Sequence, residues 1–165
     1  MQAAVKQVEQ VAPDSTQALL ETATFVETYP VLEPYVYVGI TQDPEGGTMK
    51  YITLEPVLVA NESELLAKVK NLLKMALEVD VRTLDQSGDI HLYLRQKVLE
   101  ILKRFEVKMA KSTFDKIMYY LNRDLLGYGI IDPFMKDPMI EDISCDGAKI
   151  PIYIWHREFE SIPSN

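Results

Sequence analysis

One stretch decides how this chain is organised: LGYGIIDPFMKDPMIEDISCDGAKIPIYIWHREFESIPSN, residues 126–165. It begins where a helical pattern ends and continues through a connector rich in glycine and proline. Two runs typical of strands follow, at 140–145 and 150–155, joined by a tight Asp146-Gly147 turn. A two-stranded hairpin alone is marginal in water, so we expect more sheet to cover it and the chain to be the front part of a longer protein.

Upstream of this stretch, the sequence predicts a small helical domain that carries a β-hairpin. Residues 35–40 and 51–54 are β-branched and aromatic, and the turn signal DPEGG lies between them at 43–47. Three stripes of apolar residues at helical spacing follow, and such stripes are buried only by packing together. The stripes run over 61–77, 90–109 and 112–125, with expected caps at Asn61 (paired with Glu64) and at Ser112.

The predicted fold class is α+β: a small helical domain with an N-terminal β-hairpin, followed by the first β-hairpin of a second α/β domain. We expect a flexible arm over residues 1–14, the helical N-terminal domain over 15–128, and a connector with the incomplete second domain over 129–165. Within the helical domain, Ser15 is expected to cap a short helix that runs to about Thr28.

The composition argues against several classes of protein. The chain of 165 residues has a formal net charge of −8 and a pI near 4.8, which argues against nucleic-acid binding. No apolar run approaches the roughly 18 residues that span a bilayer. The single cysteine, Cys145, excludes an internal disulfide framework and suits a reducing cytoplasm.

The sequence lacks the motifs of a self-contained enzyme. None of its seven glycines lies in GxxxxGK followed by Ser or Thr, the loop that cradles a triphosphate, and HExxH, CxxC and GxSxG are also missing. The two histidines, His91 and His156, make a poor metal set with Cys145. We therefore predict that this chain alone has no catalytic residue, no metal site and no bound cofactor.

Two clusters of charge admit both a functional and a structural interpretation. Glu141, Asp142 and Asp146 could act as an acid–base pair, although a turn aspartate and solvent-facing acids explain them more simply. Lysines and arginines are concentrated between residues 95 and 116, where they could dock an anionic membrane surface or an acidic partner, or simply face solvent. The residues selected for partner docking are Arg95, Lys103, Arg104 and Lys108.

Arg157 is the residue best suited to a ligand contact. It follows the second strand of the C-terminal hairpin, and an arginine there can reach across a domain or subunit gap to a phosphate, whose oxygens match its planar fork. The structural alternative is a surface ion pair with Glu158 or Glu160. Spacing alone leaves both interpretations open.

Residues 126–165 closely resemble the segment that precedes the nucleotide-binding core in archaeal type II/type IV secretion ATPases. The resemblance is carried by LGYGIIDP (126–133), DPMIEDISCDG (137–147) and PIYIWHREFESIPSN (151–165), in that order and at matching spacing. The family includes the archaellum motor and the ATPases of archaeal pilus assembly and protein export. The hairpin at 35–58 and the helix from Glu64 fit its more variable N-terminal region, much less specifically.

The resemblance implies a hexameric motor, driven by Mg-ATP, that is cytoplasmic and peripheral to the inner face of the cell membrane. Its partners would be its own C-terminal RecA-like ATPase domain, the other subunits of the homo-hexamer and a polytopic membrane platform protein. The N-terminal domain of such a motor moves as a rigid lid, and the family's phosphate-sensing arginine would fall on Arg157. This sequence departs from the family pattern because both Walker motifs would have to lie beyond Asn165.

Two functions from different classes are therefore expected. The first is the N-terminal regulatory and assembly domain of a secretion-type ATPase that powers filament assembly or export. The alternative is a free-standing adaptor with the same fold, which binds a membrane or filament component without ATP chemistry. The codons beyond Asn165 separate the two: a P-loop within about 100 residues, less than a typical domain, favours the first, and a stop codon favours the second.

Overall fold

The chain is of the mixed α+β class, as the sequence predicts. A computed structural model of the protein describes residues 24–43, 47–76 and 90–165. These residues contain four α-helices and two antiparallel sheets of three strands each. The chain divides into two compact units, which we call the helical unit (Leu58–Ile130) and the sheet unit (the described residues up to Val57 together with Ile131–Asn165).

The helical unit is built from three helices, each of which buries one apolar stripe. Helix α1 spans Ala60–Ala76, α2 spans Ile90–Arg104 and α3 spans Lys111–Leu125. Apolar side chains recur at spacings of three and four residues, so each helix presents a continuous face to the others. The stripes agree with the prediction within the bounds of these three helices, and the buried core consists of Leu66, Val69, Leu73, Leu94, Val98, Ile101, Leu102, Phe114, Ile117, Met118 and Leu121.

The N-terminus of α1 is capped by Glu62, so the predicted capping box is wrong. The prediction paired Asn61 with Glu64, but α1 already includes Asn61 as a helical residue. Instead, the Glu62 carboxylate accepts a hydrogen bond from the Val59 backbone amide at 3.1 Å. This is the backward contact by which the third helical residue satisfies a free amide of the first turn.

Glu62 also joins α1 to α3. Its carboxylate accepts hydrogen bonds from the Thr113 hydroxyl at 2.9 Å and from the Lys116 ammonium group at 3.1 Å. Burial alone raises the pKa of Glu62, but the hydrogen bonds outweigh burial and the pKa falls below its ordinary value. Lys116, which belongs to the basic stretch of the sequence, is therefore engaged inside the helical unit.

The ends of α2 and α3 also differ from the prediction. Helix α2 ends at Arg104 because Glu106 adopts a left-handed backbone with φ of 51°, which the helix cannot continue through. Phe105 then leaves the apolar stripe and is 48% exposed. Helix α3 has Ala110 as its N-cap, without a side-chain hydrogen bond, so the predicted cap at Ser112 is wrong.

The first sheet of the sheet unit contains the predicted hairpin and one additional strand. Strands β1 (Glu27–Leu32), β2 (Val36–Gln42) and β3 (Met49–Leu54) pair antiparallel in the order β1-β2-β3. The predicted helix end at Thr28 is wrong, because that residue pairs with Gly39 of β2. An edge strand such as β1 tolerates Pro30, since one of its sides needs no ladder hydrogen bonds.

The second sheet follows a short helix, α4 (Asp132–Lys136), which is preceded by a 3-10 turn over Gly129–Ile131. Strands β4 (Ile140–Ser144), β5 (Tyr153–His156) and β6 (Glu160–Pro163) pair antiparallel in the order β4-β5-β6. The predicted hairpin is therefore present as β4 and β5, and β6 makes β5 a central strand. The apolar core shared by the two sheets is Val38, Ile40, Tyr51, Phe134, Ile154 and Ile162.

The last two residues tie the two sheets together. Ser164 forms a parallel bridge with Tyr51 of β3, and the Asn165 amide donates to the Tyr51 carbonyl at 3.0 Å. The Thr53 amide in turn donates to the Asn165 side-chain oxygen at 2.9 Å. These hydrogen bonds join residues that are far apart in the sequence, and they hold β3 next to the end of β6.

The division into units differs from the predicted domains. The prediction placed the N-terminal hairpin with the helices, over 15–128, but the hairpin shares its core with Phe134, Ile154 and Ile162. The physical reason is that the apolar face of β2 and β3 is covered by the second sheet, which the sequence pattern alone cannot assign. The predicted arm over 1–14, and the predicted helix from Ser15 as far as residue 23, lie outside the described residues.

Candidate functional site

Four polar side chains, three of them buried and the fourth partly buried, form a hydrogen-bonded group inside the sheet unit, which we call the Asp137 cluster. Its members are Tyr29 of β1, Tyr51 of β3, His156 at the end of β5, and Asp137, which follows α4. Tyr51 and His156 are fully buried and Asp137 is 4% exposed. Polar groups removed from water to this degree must satisfy one another, and these four do.

Asp137 is the acceptor at the centre of the cluster. Its Oδ2 accepts hydrogen bonds from the Tyr29 hydroxyl at 2.8 Å and from the Tyr51 hydroxyl at 2.7 Å. Its Oδ1 accepts the Met139 backbone amide at 2.8 Å, which closes an Asx turn around Pro138. The carboxylate therefore draws β1, β3 and the start of β4 to one point.

The directions of the hydrogen bonds around His156 follow from one contact. The Glu158 backbone amide donates to Nδ1 of His156 at 3.2 Å, so Nδ1 carries no proton. The neutral ring then has its proton on Nε2, which lies 3.0 Å from the Tyr29 oxygen and donates to it. The Tyr29 hydroxyl is thereby free to donate to Asp137, and one assignment satisfies every member.

Burial sets the protonation state of the cluster. Burial and the hydrogen bond to Asp137 raise the pKa of both Tyr29 and Tyr51 far above the ordinary range, so both phenols remain donors. Burial lowers the pKa of His156, and the nearby negative charges of Asp137, Glu27 and Glu158 offset this only in part. The neutral histidine that the hydrogen bonds require is thus also the form that burial favours.

Arg157, the predicted phosphate contact, lies directly beside this cluster. It begins the turn 157–159 between β5 and β6, and its side chain is 57% exposed. Glu160, the first residue of β6 after this turn, has a left-handed backbone with φ of 57°. The Arg157 backbone amide donates to the Met139 carbonyl at 3.0 Å, so a solvent-exposed guanidinium projects from a fixed backbone.

The ion pair of Arg157 is not the one that its sequence neighbours suggest. Its Nε lies 3.6 Å from Oε1 of Glu141, whereas the alternative in the sequence paired it with Glu158 or Glu160. Glu141 lies at an irregularity of β4, where the register shifts between Ile140 and Asp142, and such bulges redirect a side chain. Both partners are more than half exposed, so the pair holds Arg157 only weakly.

The four residues selected for docking all lie exposed on the helical unit. Arg95, Lys103 and Arg104 belong to α2, and Lys108 follows it. The Arg95 guanidinium stacks over the Phe114 ring at 5.0 Å, which orders it without neutralising it. On the same helix, Leu92 is 53% exposed and Leu99 is 48% exposed, so α2 presents both apolar and basic side chains to solvent.

Two acidic side chains at the second sheet, Asp146 and Glu141, have polar contacts of their own. Asp146 accepts a hydrogen bond from the Ser144 hydroxyl at 3.2 Å, and Glu141 faces Arg157. Within residues 24–43, 47–76 and 90–165, no three His, Cys, Asp or Glu side chains are grouped so as to hold a metal ion. In the same ranges, no helix is long and apolar enough to cross a membrane.

Sequence reasoning missed the Asp137 cluster, although one signal for it was present. It considered His156 as a poor metal ligand and as the neighbour of Arg157 at the end of the strand, and it gave no role to Tyr29, Tyr51 or Asp137. Alternate residues of a strand face the same side, so His156 shares the inward face with Ile154, and a histidine placed there needs polar partners in the core. Both side chains are buried, and β5 ends at His156.

Comparisons with known proteins give two archaeal relatives. The uncharacterized protein MJ1288 of Methanocaldococcus jannaschii is 37% identical over 118 residues, which cover 72% of this chain and 46% of that protein. The uncharacterized protein MJ0900 of the same organism is 29% identical over 157 residues, covering 83% of this chain and 28% of that protein. The chain thus spans about half or less of the length of these relatives, and no family model matches it.

Proposed function

We propose that this chain is the N-terminal regulatory and assembly domain of a hexameric secretion-type ATPase, and that Arg157 contacts the phosphates of the nucleotide. The observation that carries the proposal is the placement of Arg157: an exposed guanidinium on a backbone fixed by the buried Asp137 cluster. A group that stabilises charge on a transferring phosphoryl must be preorganised before the reaction, and this arrangement is suited to that task.

Two further observations support the proposal. The phrases that resemble the archaeal secretion ATPases contain the parts of this arrangement: DPMIEDISCDG includes Asp137 and Glu141, and PIYIWHREFESIPSN includes His156 and Arg157. Both relatives come from an archaeon, and the matched regions make up about half or less of their lengths. In this proposal, the nucleotide site for Mg-ATP and the RecA-like domain belong to a longer protein that includes this chain, and the membrane platform protein is a separate partner.

The alternative proposal is an adaptor with the same fold and no ATP chemistry. The exposed cations and leucines of α2 favour a binding role that needs no nucleotide. Sequencing the gene beyond the codon for Asn165 separates the two proposals. A P-loop within about 100 residues, less than a typical domain, supports the ATPase, whereas a stop codon there supports the adaptor.

We further propose that the basic surface of α2 docks on the anionic membrane surface beneath the platform protein. Reversing Lys103, Arg104 and Lys108 to glutamate should abolish most sedimentation with phosphatidylglycerol vesicles, because each cation near an anionic surface contributes about 1 kcal/mol. Folding should be unaffected, since exposed charges contribute little to stability. Sedimentation of the wild type should also fall as salt is added.

The matched control reverses three other exposed lysines, Lys50, Lys68 and Lys74, and so produces the same change in net charge. That control should sediment like the wild type. If both triple variants lose binding equally, only net charge matters. If neither does, the cations of α2 form an ordinary solvated helix face and the docking proposal fails.

A further inference from the structure

A series of hydrogen bonds connects the side chain of His156 to the backbone of Arg157, the next residue in the sequence. From Nε2 of His156 it passes to the Tyr29 oxygen at 3.0 Å and from the Tyr29 hydroxyl to Asp137 at 2.8 Å. Asp137 accepts the Met139 amide at 2.8 Å, and the Met139 carbonyl accepts the Arg157 amide at 3.0 Å. The side chain of one residue is thus linked to the backbone of the next through the core.

A second contact fixes the other side of Arg157. Nδ1 of His156 accepts the Glu158 amide at 3.2 Å, so the imidazole ring bridges the turn that carries the arginine. We propose that His156 is a positioning residue for Arg157: its neutral ring, with the proton on Nε2, holds the backbone on both sides of the arginine. This inference rests on the proposed function, in which Arg157 contacts phosphate.

The backbone of Arg157 is fixed while its side chain is free to bind a ligand, and this combination favours phosphate contact. The guanidinium is exposed, and its contact with Glu141 at 3.6 Å is a surface ion pair that phosphate oxygens can replace at little cost. A residue that must reach a ligand across a gap loses less entropy on binding when its backbone is already ordered. His156 provides that order while leaving the side chain free to move.

The neutral state of the ring is essential to this role. A second proton, on Nδ1, would remove the acceptor of the Glu158 amide hydrogen bond and would place two donors opposite each other. The nearby negative charges favour the cation, but burial disfavours it and prevails, so the pKa of His156 is lowered. The titratable groups that face the ring are Glu27 and Tyr29 on β1, Tyr51 on β3, Asp137 before β4, and Glu158 in the turn.

Two substitutions of similar shape test whether His156 positions Arg157 through hydrogen bonds or only fills space in the core. In His156→Asn, the side-chain oxygen replaces Nδ1 and still accepts the Glu158 amide, but the side chain is too short to reach Tyr29. In His156→Gln, the amide replaces Nε2 and reaches Tyr29, but nothing replaces Nδ1. Hydrogen exchange, followed by NMR on the chain itself, should be about tenfold faster for the Glu158 amide in the Gln variant than in the Asn variant, as one lost hydrogen bond predicts.

Two other amides complete the exchange experiment. The Arg157 amide should exchange faster than in the wild type in both variants, because each variant breaks one of the two contacts that hold its turn. The Ile154 amide, inside β5, should exchange as in the wild type. Equal Glu158 exchange in the Asn and Gln variants, with Ile154 unchanged, would show that His156 only fills space and would overturn the proposal.

The wild-type protein provides a second, independent test that does not depend on whether the variants fold. Nitrogen NMR shifts of the His156 ring at neutral pH should report the neutral form with its proton on Nε2. A proton on Nδ1 at neutral pH would overturn the proposal. None of these measurements involves nucleotide, so a failure of the ATPase proposal and a failure of this one are distinguishable.

Discussion

Replacing Arg157 with alanine should lower the ATPase turnover of the complete gene product at least about tenfold. Fully engaged arginine fingers contribute about 10³- to 10⁵-fold, and one of several cooperating arginines contributes less. Charge on the transferring phosphoryl group needs a cation that arrives when the lid closes, and alanine supplies none. Lysine should restore little, because a point charge cannot reproduce the planar fork of the guanidinium. The measurement is steady-state Mg-ATP hydrolysis per folded hexamer.

Stability measurements distinguish this role from a structural one. The Arg157 side chain is 57% exposed and 3.6 Å from Glu141, so its removal should leave the melting temperature and hexamer formation near those of the wild type. Lys149→Ala removes another exposed cation of the same sheet unit and should leave turnover unchanged. If Arg157→Ala lowers the melting temperature while turnover per hexamer stays constant, the residue is only an ion-pair partner of Glu141.

Replacing Asp137 with alanine should destabilise the sheet unit by about 3 kcal/mol or more. The substitution leaves the Tyr29 hydroxyl, the Tyr51 hydroxyl and the Met139 amide without their acceptor, and a buried unpaired donor costs about 1–3 kcal/mol. Urea titration should be followed by the fluorescence of Trp155, the single tryptophan, which lies in β5. Circular dichroism should be recorded in parallel, because helices α1 to α3 dominate that signal.

The control for this experiment is Asp142→Ala, which removes an exposed carboxylate from β4. Its free energy of unfolding should stay within about 0.5 kcal/mol of the wild-type value, as is usual for surface substitutions. If Asp137→Ala and Asp142→Ala destabilise the protein equally, Asp137 is not the centre of a buried cluster. If the fluorescence midpoint of Asp137→Ala falls but the dichroism midpoint does not, the two units unfold separately.

Local patterns predicted most of the elements but not how they are grouped. Helical periodicity identified the core of α1, α2 and α3, down to Val69, Val98 and Ile117, because packing of apolar faces determines those helices. Strand β1 was missed because Glu27-Thr28-Tyr29-Pro30 contains a proline and lies beside an expected helix, and its pairing with β2 is a tertiary choice. The tie between β3 and Asn165 depends on residues more than 100 positions apart and leaves no local signal.

The sequence predicts the position of Arg157 but not the residues that surround it. Arg157 was selected for its position after a strand, and the structure places it at the start of a turn with an exposed side chain. Its supporting residues could not be selected, because Tyr29 and Tyr51 look like ordinary β-sheet aromatics until the fold brings them to Asp137. Its ion pair with Glu141 was missed because the bulge in β4 sets the direction of that side chain.

The most direct test of the account is Mg-ATP hydrolysis by the complete product of the gene that encodes this sequence, compared with the chain of residues 1–165. The account predicts that the complete product hydrolyses Mg-ATP as a hexamer, and that the 165-residue chain, which lacks a phosphate-binding loop, does not. A complete product that carries no P-loop and hydrolyses no ATP would contradict the account and leave the adaptor as its function.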